Sequence, residues 1–514
     1  MLVKVKSVAH IGLETIPVDV EVNVANKGLP AFDIVGLPDK AVAESKERVK
    51  TAILSSGMEF PNKKITVNLA PADVQKEGAS YDLPIAIAII AAESDFKISE
   101  KSLFFGELSL DGSLRHTKGV FLLGLFAQQS GTRFEKIFVP KDSANEATIF
   151  QGIKVLAIEN LSQLFLHLTS QKIIKPIPYQ ELTETRSLLT PEFDMSEILG
   201  QEQTKRAMEI TAAGSHNLLM TGSPGAGKTM LARALPGILP FLSDEESLEV
   251  TKIYSLSGQI PAGGSLIRPP PFRSPHHSTS QVGLIGGGQR PLPGEISLAH
   301  RGVLFLDEFN EFPRHILESL RQPLEDGYLT ISRSKERVKY PARFTLVASS
   351  NPCPCGYLNH PKKRCICSSQ QIKKYQKKVS GPILDRIDLH VEVPSVEIKE
   401  LSDNQKAAEF LEPSSAIRER VLKARKIQNQ RFLNEIIFTN AEMKNEQIKK
   451  YCKLAKEVEQ VLQQAGSKFQ LSARSYLKMI KIARTIADLE NSQDIQLNHM
   501  AEALQYRPKN YEGI

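Results

Sequence analysis

The sequence predicts an α/β protein built from several domains, with a helical C-terminal part. The chain has 514 residues, more than one hydrophobic core organises, so roughly two to four domains are expected. Apolar and β-branched stretches alternate with helix-like runs up to about residue 395, which is typical of mixed α/β domains. Beyond about residue 400 the apolar residues follow helical spacing, and this predicts helices without strands.

The composition is that of an ordinary soluble protein, with 41% hydrophobic and 24% charged residues. No apolar run approaches the roughly 20 residues of a membrane span. The first residues, MLVKVKSVAHIGLETIPVDVEV, alternate like a strand and lack the apolar block of a signal peptide. We therefore expect a cytoplasmic protein without membrane contact. Disulfides are rare in that compartment, so clustered cysteines favour metal or redox chemistry.

Residues 1–170 are predicted to form an α+β domain. The stretches VDVEVNVA, KITVNLAP, KIFVP and IKVLAI have the character of strands, and KAVAESKERVKTAILSSG and PIAIAIIAAESD that of helices. The pattern lapses over the next twenty or so residues, which are rich in proline and polar side chains. We expect residues 171–192 to be a linker.

A phosphate-binding loop is predicted in LLMTGSPGAGKTMLARAL, after an apolar strand and before a helix. Glycines let backbone N–H groups wrap the phosphates of a nucleotide, and the helix N-terminus adds a favourable field. Lys228 would reach the β- and γ-phosphates, and Thr229 would hold Mg²⁺. The residues expected to bind ATP are Gly222, Ser223, Pro224, Gly225, Ala226, Gly227, Lys228 and Thr229.

Two further apolar strands end in polar residues suited to ATP hydrolysis. GVLFLDEF ends in Asp307, expected to hold Mg²⁺, and Glu308, expected to orient the attacking water. FTLVASSN ends in Asn351, which would position that water beside the γ-phosphate. Following a phosphate-binding loop at this spacing, these strands predict an ATPase core over residues 193–398.

This ordered set of loop and strands resembles the AAA+ ATPases. The resemblance implies two further roles. Arg386 in SGPILDRIDLHVEV matches the arginine finger that one subunit inserts into the site of its neighbour. Arg474 in LSARSYLKMIKIARTIADLE matches the sensor-2 arginine of a helical lid, here residues 399–514. A surface salt bridge is the alternative for either arginine.

The match is closer than the superfamily. GQEQTKRAMEITAAGSHNLLMTGSPGAGKT, PFRSPHHSTSQVGLIGGG and SGPILDRIDLHVEVP are similar to the magnesium-chelatase-like ATPases, and the whole chain resembles the ComM/YifB family of competence-related bacterial proteins. The resemblance implies a homo-hexameric ATP-driven motor, a helicase or translocase on single-stranded, forked or branched DNA. Its work would be branch migration in homologous recombination during natural transformation, with recombination proteins as further partners.

The first domain resembles the Lon protease domain, which has a ribosomal-protein-S5-like fold, in QKEGASYDLPIAIAI and FFGELSLDGSLRHTKGVFLLGLFA. Ser80 falls at the position of the Lon nucleophile. Ser–Lys catalysis also needs a lysine that takes the proton of the serine, and Phe121 stands at that position. Lys118 lies three residues earlier on a glycine-rich turn and is a poor substitute. We therefore expect a non-proteolytic domain that serves ring assembly and nucleic-acid contact.

Four of the five cysteines lie in SNPCPCGYLNHPKKRCIC, where prolines prevent a helix. Two Cys-x-Cys pairs offer four soft ligands, which suit tetrahedral Zn²⁺, although Cys-x-x-Cys is the commoner spacing. Zn²⁺ is expected on Cys353, Cys355, Cys365 and Cys367. His360 is a possible substitute ligand, and free thiols or a regulatory disulfide are the alternatives. Cys452, distant in sequence, is expected to serve packing.

The positive charge of the chain is concentrated in one segment. The whole chain carries a net +7, and residues 1–170 carry −2. Residues 333–378 contain 12 Lys or Arg and a single acid. The segment begins within GYLTISRSKERVKYPARFTLVAS, which predicts a hairpin whose cations Arg333, Lys335 and Arg337 would contact DNA phosphates. A solvated hairpin without a ligand is the alternative.

Two rival functions remain open on the sequence. One is an ATP-driven protein-remodelling or chelatase-type subunit without DNA contact, favoured by the chelatase-like core but not by the basic segment. The other is an ATP-dependent protease, which Phe121 disfavours. ATP and Mg²⁺ are the expected cofactors in either case, with Zn²⁺ on the cysteines.

Overall fold

The structure, a computed structural model, describes residues 2–25, 28–94, 96–129, 131, 134–180, 192–260, 266–288, 291–332, 337–358, 360–395 and 411–508. The chain divides into two compact units. The first comprises Met1–Thr185 and Asp244–Ile267, and the second comprises Arg186–Ser243 and Arg268–Ile514. The predicted α/β organisation in several domains is confirmed.

The first unit is built on a seven-stranded mixed sheet of order β3-β4-β2-β1-β5-β8-β9. β2 runs antiparallel to both of its neighbours, β1 and β4, whereas β3 pairs in parallel with β4, and β5, β8 and β9 extend the sheet in parallel from β1. A two-stranded ribbon, β6 with β7, stands apart from it. The strands are β1 Leu2–Ile11, β2 Glu14–Ala25, β3 Ala31–Val35, β4 Lys64–Ala70, β5 Ser102–Phe104, β6 Glu107–Leu108, β7 Leu114–Arg115, β8 Lys136–Pro140 and β9 Lys154–Ile158.

The strands and helices of this unit follow the apolar pattern of the sequence. In β2 every second residue is buried, Val18, Val20, Val22 and Val24, because side chains alternate across a sheet. Helix α3, Asp82–Glu93, is buried on all sides, which explains why its sequence has no polar face. The helices are α1 Lys40–Ala43, α2 Ser45–Ser55, α3 Asp82–Glu93, α4 Val120–Gln129 and α5 Leu161–Leu168, with 3-10 turns at Ala79–Tyr81 and Lys141–Ala147.

The start of the predicted linker belongs to the first unit. The N–H of Ile177 donates to the carbonyl of Val155 at 2.9 Å, and that of Gln180 to Thr148 at 3.1 Å. These backbone bonds extend the first unit beyond residue 170. The remainder of the expected linker up to residue 191 lies outside the described residues.

The second unit carries a five-stranded parallel sheet of order β11-β14-β17-β10-β18. It begins with a 3-10 turn at Met195–Glu197, α6 Glu202–Gly214 and β10 Leu218–Gly222, then α7 Lys228–Ala234 and a 3-10 turn at Leu235–Ile238. The other strands of the sheet are β11 Phe272–Arg273, β14 Val303–Leu306, β17 Thr345–Ser350 and β18 Leu389–Val393. β10 lies between β17 and β18, so the loop after β10 is central in the sheet.

Helix α8, Asp244–Ser257, interrupts the predicted ATPase core over residues 193–398, because residues 244–267 belong to the first unit. Its apolar side chains explain this placement: Leu248, with Ile260 and Leu266 after the helix, packs against the buried cluster around α4 and β8. The two ends of the excursion meet, since the N–H of Leu242 donates to the carbonyl of Arg268 at 2.9 Å.

Short elements fill the chain between β11 and β18. β12 Gly286–Gly287 pairs with β13 Leu292–Pro293, and β15 Tyr328–Ser332 pairs antiparallel with β16 Arg337–Pro341. The second pair is the predicted hairpin, which is confirmed on both strands. The helices here are α9 Gln281–Ile285, α10 Glu295–Leu298, α11 Arg314–Glu318, α12 Arg321–Asp326, α13 Ser369–Gln376 and α14 Gly381–Leu384, with a 3-10 turn at Phe309–Glu311.

The C-terminal part is helical, as predicted, and shares one apolar core with the five-stranded sheet. The buried cluster joins Leu218 and Val391 of the sheet to Val421 and Leu462 of the helices. The helices are α15 Ser414–Arg431, α16 Asn445–Tyr451, α17 Lys456–Phe469, α18 Ala473–Leu489 and α19 Leu497–Gln505, with a 3-10 turn at Asn440–Glu442. None of the helices in the described part of the chain is long and apolar enough to cross a membrane.

One expected helix is divided. The run EQIKKYCKLAKEVEQVLQQAG forms α16 and α17 with a break after Tyr451, because Leu454 makes a strand-like bridge with Ile495. Cys452 is therefore a C-terminal cap and not a mid-helix residue. Its sulfur is buried 3.9 Å from that of Met443, which agrees with the expected packing role.

Candidate active site

Three adjacent parallel strands deliver the predicted ATPase residues to one edge of the sheet. β14, β17 and β10 are neighbours, and their carboxyl ends lead into Asp307, Asn351 and the phosphate-binding loop respectively. In open parallel sheets this edge is where ligands bind. The last residue of β10, Gly222, has to be a glycine, because an added Cβ would lie 2.4 Å from the carbonyl oxygen of Val393 on β18.

Lys228 occupies the start of α7 and folds back over the loop. Its Nζ donates to the carbonyls of Gly222 at 2.7 Å and Ser223 at 2.9 Å, and to Oδ1 of Asn351 at 3.2 Å. Burial lowers the pKa of this ammonium, although the carboxylates of Asp307 and Glu308 oppose the shift. A buried charge needs hydrogen-bond partners, which the two carbonyls and Asn351 supply here.

Thr229 and Asp307 present oxygens of the kind that Mg²⁺ prefers. Oγ1 of Thr229 donates to Oδ2 of Asp307 at 2.7 Å, and the hydroxyl of Ser349 bonds to the other carboxylate oxygen. The carboxylate also accepts from the N–H of Glu308 at 2.9 Å. Hydroxyl and carboxylate oxygens at the mouth of a phosphate loop fit the Mg²⁺ that accompanies ATP.

Glu308 stands in the left-handed region, with φ 51° and ψ 47°, which is uncommon for a residue with a side chain. The side chain is 55% exposed, and its Oε2 lies 3.2 Å from Nδ1 of His277. The ring of His277 in turn rests edge-on against Phe312 at 6.4 Å. An exposed carboxylate oriented by a histidine is suited to accept a proton from water.

The two arginines that the family resemblance singled out share one carboxylate. Arg386 pairs with Oε2 of Glu325, and Nη2 of Arg474 donates to Oε1 of the same side chain at 2.7 Å. Arg386 also donates to the carbonyl of Pro382 at 2.6 Å. These positions bring the two arginines together but do not test the roles expected of them, which remain predictions.

A buried ionic group holds the chain segment that carries Arg386. Oδ2 of Asp388 accepts from the N–H of Asn217 at 2.9 Å, and its Oδ1 lies 3.4 Å from Nζ of Lys478 on α18. Burial opposes ionisation of Asp388, but Lys478 and His216 outweigh it and hold the pKa of that carboxyl well below its usual range. Lys478 also donates to the carbonyl of Ile387 at 2.9 Å, so α18 and the Arg386 turn are joined directly.

The four clustered cysteines converge as a metal site requires. Their Sγ atoms all lie within 4.8 Å of one another. The Sγ atom of Cys353 lies 3.4 Å from that of Cys355 and 3.7 Å from that of Cys365, and the Sγ atoms of Cys355 and Cys365 are 3.6 Å apart. Tetrahedral Zn²⁺ with Zn–S bonds of about 2.3 Å implies S–S separations of about 3.8 Å, so these residues fit the ion.

His360 is not part of this cluster. Its Nδ1 accepts from the N–H groups of Lys362 at 3.0 Å and Lys363 at 2.9 Å. The substitution of one cysteine ligand by His360, left open on the sequence, therefore does not fit the geometry.

The cysteine loop touches the phosphate-binding loop. Gly356 has φ 80°, and a Cβ added to it would lie 2.4 Å from Cδ of Pro224. Its N–H donates to the carbonyl of Cys353 at 2.9 Å. Glycine is required here twice over, because no other residue fits the conformation or the gap. The loops that would hold zinc and ATP thus pack directly on each other.

In the first unit, the serine at the position of the Lon nucleophile lies in a short turn before a buried helix. Ser80 lies in the 3-10 turn before α3, and its carbonyl accepts from the N–H of Gly106 at 3.0 Å. Phe121, at the expected lysine position, is wholly buried and packs edge-on against Phe150 at 5.2 Å. Lys118 is exposed on the turn before α4. Phe121 is thus a core residue, whereas the Lon-like assignment itself remains a prediction.

Of the three predicted DNA contacts, Arg337 is exposed at the start of β16. Arg333 and Lys335 lie outside the described residues. The hairpin leads through Ala342 to β17 and so to Asn351, because its second strand ends at Pro341 and β17 begins at Thr345. The predicted contact with DNA stays a prediction.

Three residues of the site were not identified from the sequence: His277, Glu325 and Ser349. His277 lies in PFRSPHHSTSQVGLIGGG, one of the stretches that carries the family resemblance, and this was a signal that a role could have been sought. Ser349 could have been found from its place in the predicted strand, two residues before Asn351. For Glu325 the sequence offers no signal, because its partners are 61 and 149 residues away.

Three family models match the chain in succession. That described as subunit ChlI of Mg-chelatase matches residues 20–143, and that described as magnesium chelatase, subunit ChlI, matches residues 194–401. The model of the subunit ChlI C-terminal region matches residues 411–507.

Individual proteins are similar to the chain over nearly its whole length. The YifB protein of Escherichia coli is 43% identical over 503 residues, covering 97% of this chain and 96% of its own. The competence protein ComM of Haemophilus influenzae is 42% identical over 507 residues, covering 98% and 97%. The magnesium-chelatase 38 kDa subunit of Cereibacter sphaeroides is 30% identical over 176 residues, covering 31% and 53%.

Proposed function

The chain belongs to the magnesium-chelatase-like AAA+ family that includes the ComM and YifB proteins, and on this basis we propose that it is an ATP-driven motor acting on DNA. The expected family membership is thereby confirmed. The observation that carries the proposal is the full-length similarity to a competence protein. It concerns both units of the chain and not the nucleotide site alone.

In this proposal ATP binds on the loop after β10 with Mg²⁺. Lys228 contacts the β- and γ-phosphates, while Thr229 and Asp307 hold the metal. Glu308, oriented by His277, takes the proton of the attacking water, and Asn351 positions that water. The contacts among these side chains support the assignment, since they already bring the required groups to one edge of the sheet.

The active form is proposed to be a ring of six chains. Arg386 would leave Glu325 to reach the nucleotide of a neighbouring chain, and Arg474 on α18 would respond to the nucleotide of its own. The direct bonds from Lys478 to the Arg386 segment support this coupling, because a movement of α18 would displace the turn that bears the arginine.

The work of the motor is proposed to be translocation along single-stranded, forked or branched DNA. Branch migration during homologous recombination would integrate DNA taken up in natural transformation. A competence-related role follows from the similarity to ComM, and Arg333, Lys335 and Arg337 are proposed to contact phosphates. Recombination proteins would be its partners in the cell.

Zn²⁺ is proposed on Cys353, Cys355, Cys365 and Cys367. Its role would be structural, since four thiolates leave no open coordination position. The convergence of the four sulfur atoms supports this. The bound loop would support Pro224 through Gly356.

A second candidate is a chelatase-type or protein-remodelling ATPase that does not contact DNA. The similarity to the magnesium-chelatase 38 kDa subunit favours it, although that similarity covers 31% of the chain. In this case ATP turnover would respond to a protein partner.

ATP hydrolysis measured with and without DNA separates the two candidates. Stimulation of turnover by forked or single-stranded DNA, together with migration of a synthetic four-way junction, is the expected result. Glu308→Gln protein serves as the control, because it should bind the same DNA without moving the junction. Turnover that is indifferent to every DNA structure would contradict the motor proposal and leave the chelatase-type candidate.

A further inference from the structure

Helix α13 and the two residues after it carry four lysines. Lys373 and Lys374 lie in the last turn of the helix, and Lys377 and Lys378 follow directly after its end at Gln376; all four are exposed and line one cleft. No described acidic side chain pairs with the first three. Lys378 pairs with Glu311 at 2.9 Å. Three ammonium groups are thus available to an anion.

These lysines line a cleft of about 780 Å³ opposite the start of α11. Arg314, also exposed, adds a fifth cation from the other wall, and Glu311 is the acid among the lining residues. Phe312 and Pro313 also line the cleft. Five cations against one carboxylate, around an open cleft, form a site that attracts an extended anion.

The charge of this region is unbalanced along the chain as well as in space. Between His360 and Lys378 there are seven Lys or Arg and no Asp or Glu. A solvated protein surface usually mixes both signs. A stretch without acids does not repel a polyanion anywhere along its length. Solubility alone does not require such a stretch, because mixed charges serve it equally well.

The cleft is attached to both strands that approach the γ-phosphate. Nδ2 of Asn310, in the 3-10 turn after Glu308, donates to the carbonyl of Tyr375 at 3.1 Å. Nε2 of Gln376 donates to the carbonyl of Pro352, next to Asn351, at 3.2 Å. These two hydrogen bonds join α13 directly to the chain segments that follow Glu308 and Asn351.

We infer that the α13 cleft binds the phosphate backbone of a single DNA strand and couples that contact to ATP turnover. The inference rests on the proposed DNA motor and names a contact surface separate from the β15–β16 hairpin. Ammonium groups on a helix contact phosphates without reading bases, so the binding is independent of sequence and sensitive to salt.

The test is a triple substitution, Lys373→Gln, Lys374→Gln and Lys377→Gln, in the full-length chain. Glutamine keeps the helix propensity and removes the charge. Binding of a fluorescent thymidine oligomer should weaken about tenfold near 0.1 M salt, and the slope of log affinity against log salt should fall by about two, since each phosphate contact contributes about 0.7. Stimulation of ATP turnover by the oligomer should be lost.

A matched control removes the same charge elsewhere in the second unit. Lys423→Gln, Lys426→Gln and Lys449→Gln lie on exposed positions of α15 and α16 and should leave both affinity and slope unchanged. Binding of a fluorescent ATP analogue and the Tm verify that the α13 variant is folded.

The outcomes separate this inference from the proposed function. If the unsubstituted chain binds the oligomer and the α13 variant binds it equally, the cleft is not the DNA surface, while the motor proposal stands. If the unsubstituted chain does not bind DNA, both are wrong. Displacement of the oligomer by poly-glutamate at equal charge concentration would identify an acidic protein segment as the ligand and overturn the inference.

Discussion

At the scale of single residues, the site couples groups that are adjacent in space and far apart in sequence. The ammonium of Lys228 donates to Asn351 as well as to the main chain of the phosphate loop, and the ring of His277 contacts the carboxylate of Glu308. The loop residues and the two strand ends could be predicted because each has a local pattern of its own. The contacts of His277 with Glu308 and of Glu325 with the two arginines could not be predicted, because partners many residues away leave no mark on local spacing.

Glu308→Gln should retain ATP binding and lower the turnover rate by about 10²-fold or more, since an amide cannot accept the proton of the attacking water. Lys228 and Asp307 are untouched, so the affinity for ATP with Mg²⁺ should hold. Equilibrium binding and steady-state hydrolysis on the same preparation check this. A variant that hydrolyses at the normal rate would show that Glu308 is not the base.

At the scale of elements, the cysteine loop packs against the phosphate loop, and α13 is bonded to the chain beside Asn351. The prolines and paired cysteines predicted an irregular, metal-binding loop, and the four sulfur atoms do converge. The contact of Gly356 with Pro224 could not be foreseen, because a close approach between loops depends on strand order. The same limit applies to α8, whose sequence does not reveal which unit covers its apolar side chains.

Protein purified without chelators should contain about one Zn²⁺ per chain. Cys353→Ser should release it, because a hydroxyl is a poor ligand for zinc, and should lower the Tm while ATP binding persists. Elemental analysis alongside thermal melting measures both effects. Cys452→Ser, at a buried sulfur outside the cluster, is the control that should keep the metal. Stoichiometric zinc in the Cys353 variant would contradict the assignment.

The stability of the first unit should depend on pH through Glu146. Burial raises the pKa of this carboxyl to about 7, although hydrogen bonds from Ser255 at 3.0 Å and the N–H of Phe121 at 3.2 Å oppose the shift. The folded chain thus keeps a proton that the unfolded chain loses near its ordinary value of 4.5. Stability is present below that value and is lost as the pH rises through about 7, by roughly 3 kcal/mol.

Glu146→Gln should therefore raise the Tm at pH 8 and leave it nearly unchanged at pH 4, because the amide oxygen accepts the same two hydrogen bonds without a charge. Thermal melting of the full chain at both pH values is the measurement. An equal effect at the two values would mean that packing, not ionisation, decides the outcome.

At the scale of the whole molecule, the family and the α/β organisation could be predicted, whereas the division of the chain could not. Motif order and the approach to Arg386 identified the family without any knowledge of three-dimensional contacts. Boundaries drawn from sequence assume that a domain is one continuous range. The chain breaks this assumption by sending residues 244–267 to the first unit.

Arg386→Ala should allow ATP binding and ring assembly but leave hydrolysis low, since the arginine is proposed to act across a subunit boundary. Mixing it with Lys228→Ala chains should restore part of the activity. A Lys228→Ala chain supplies the missing arginine to an intact site next to it, which neither variant offers alone. Hydrolysis is followed as the two are titrated together, with size-exclusion chromatography verifying the rings. Full activity from a dilute monomer would contradict the shared site.

The division of the chain also bears on its synthesis. The ribosome releases residues 1–185 first, but helix α8 completes the apolar cluster around α4 and begins at residue 244. At translation rates of about 5–20 residues per second, the nascent first unit waits roughly 3–12 s for its last helix. During that interval the apolar residues that α8 covers stay exposed, so slow codons between residues 186 and 243 should increase capture by chaperones.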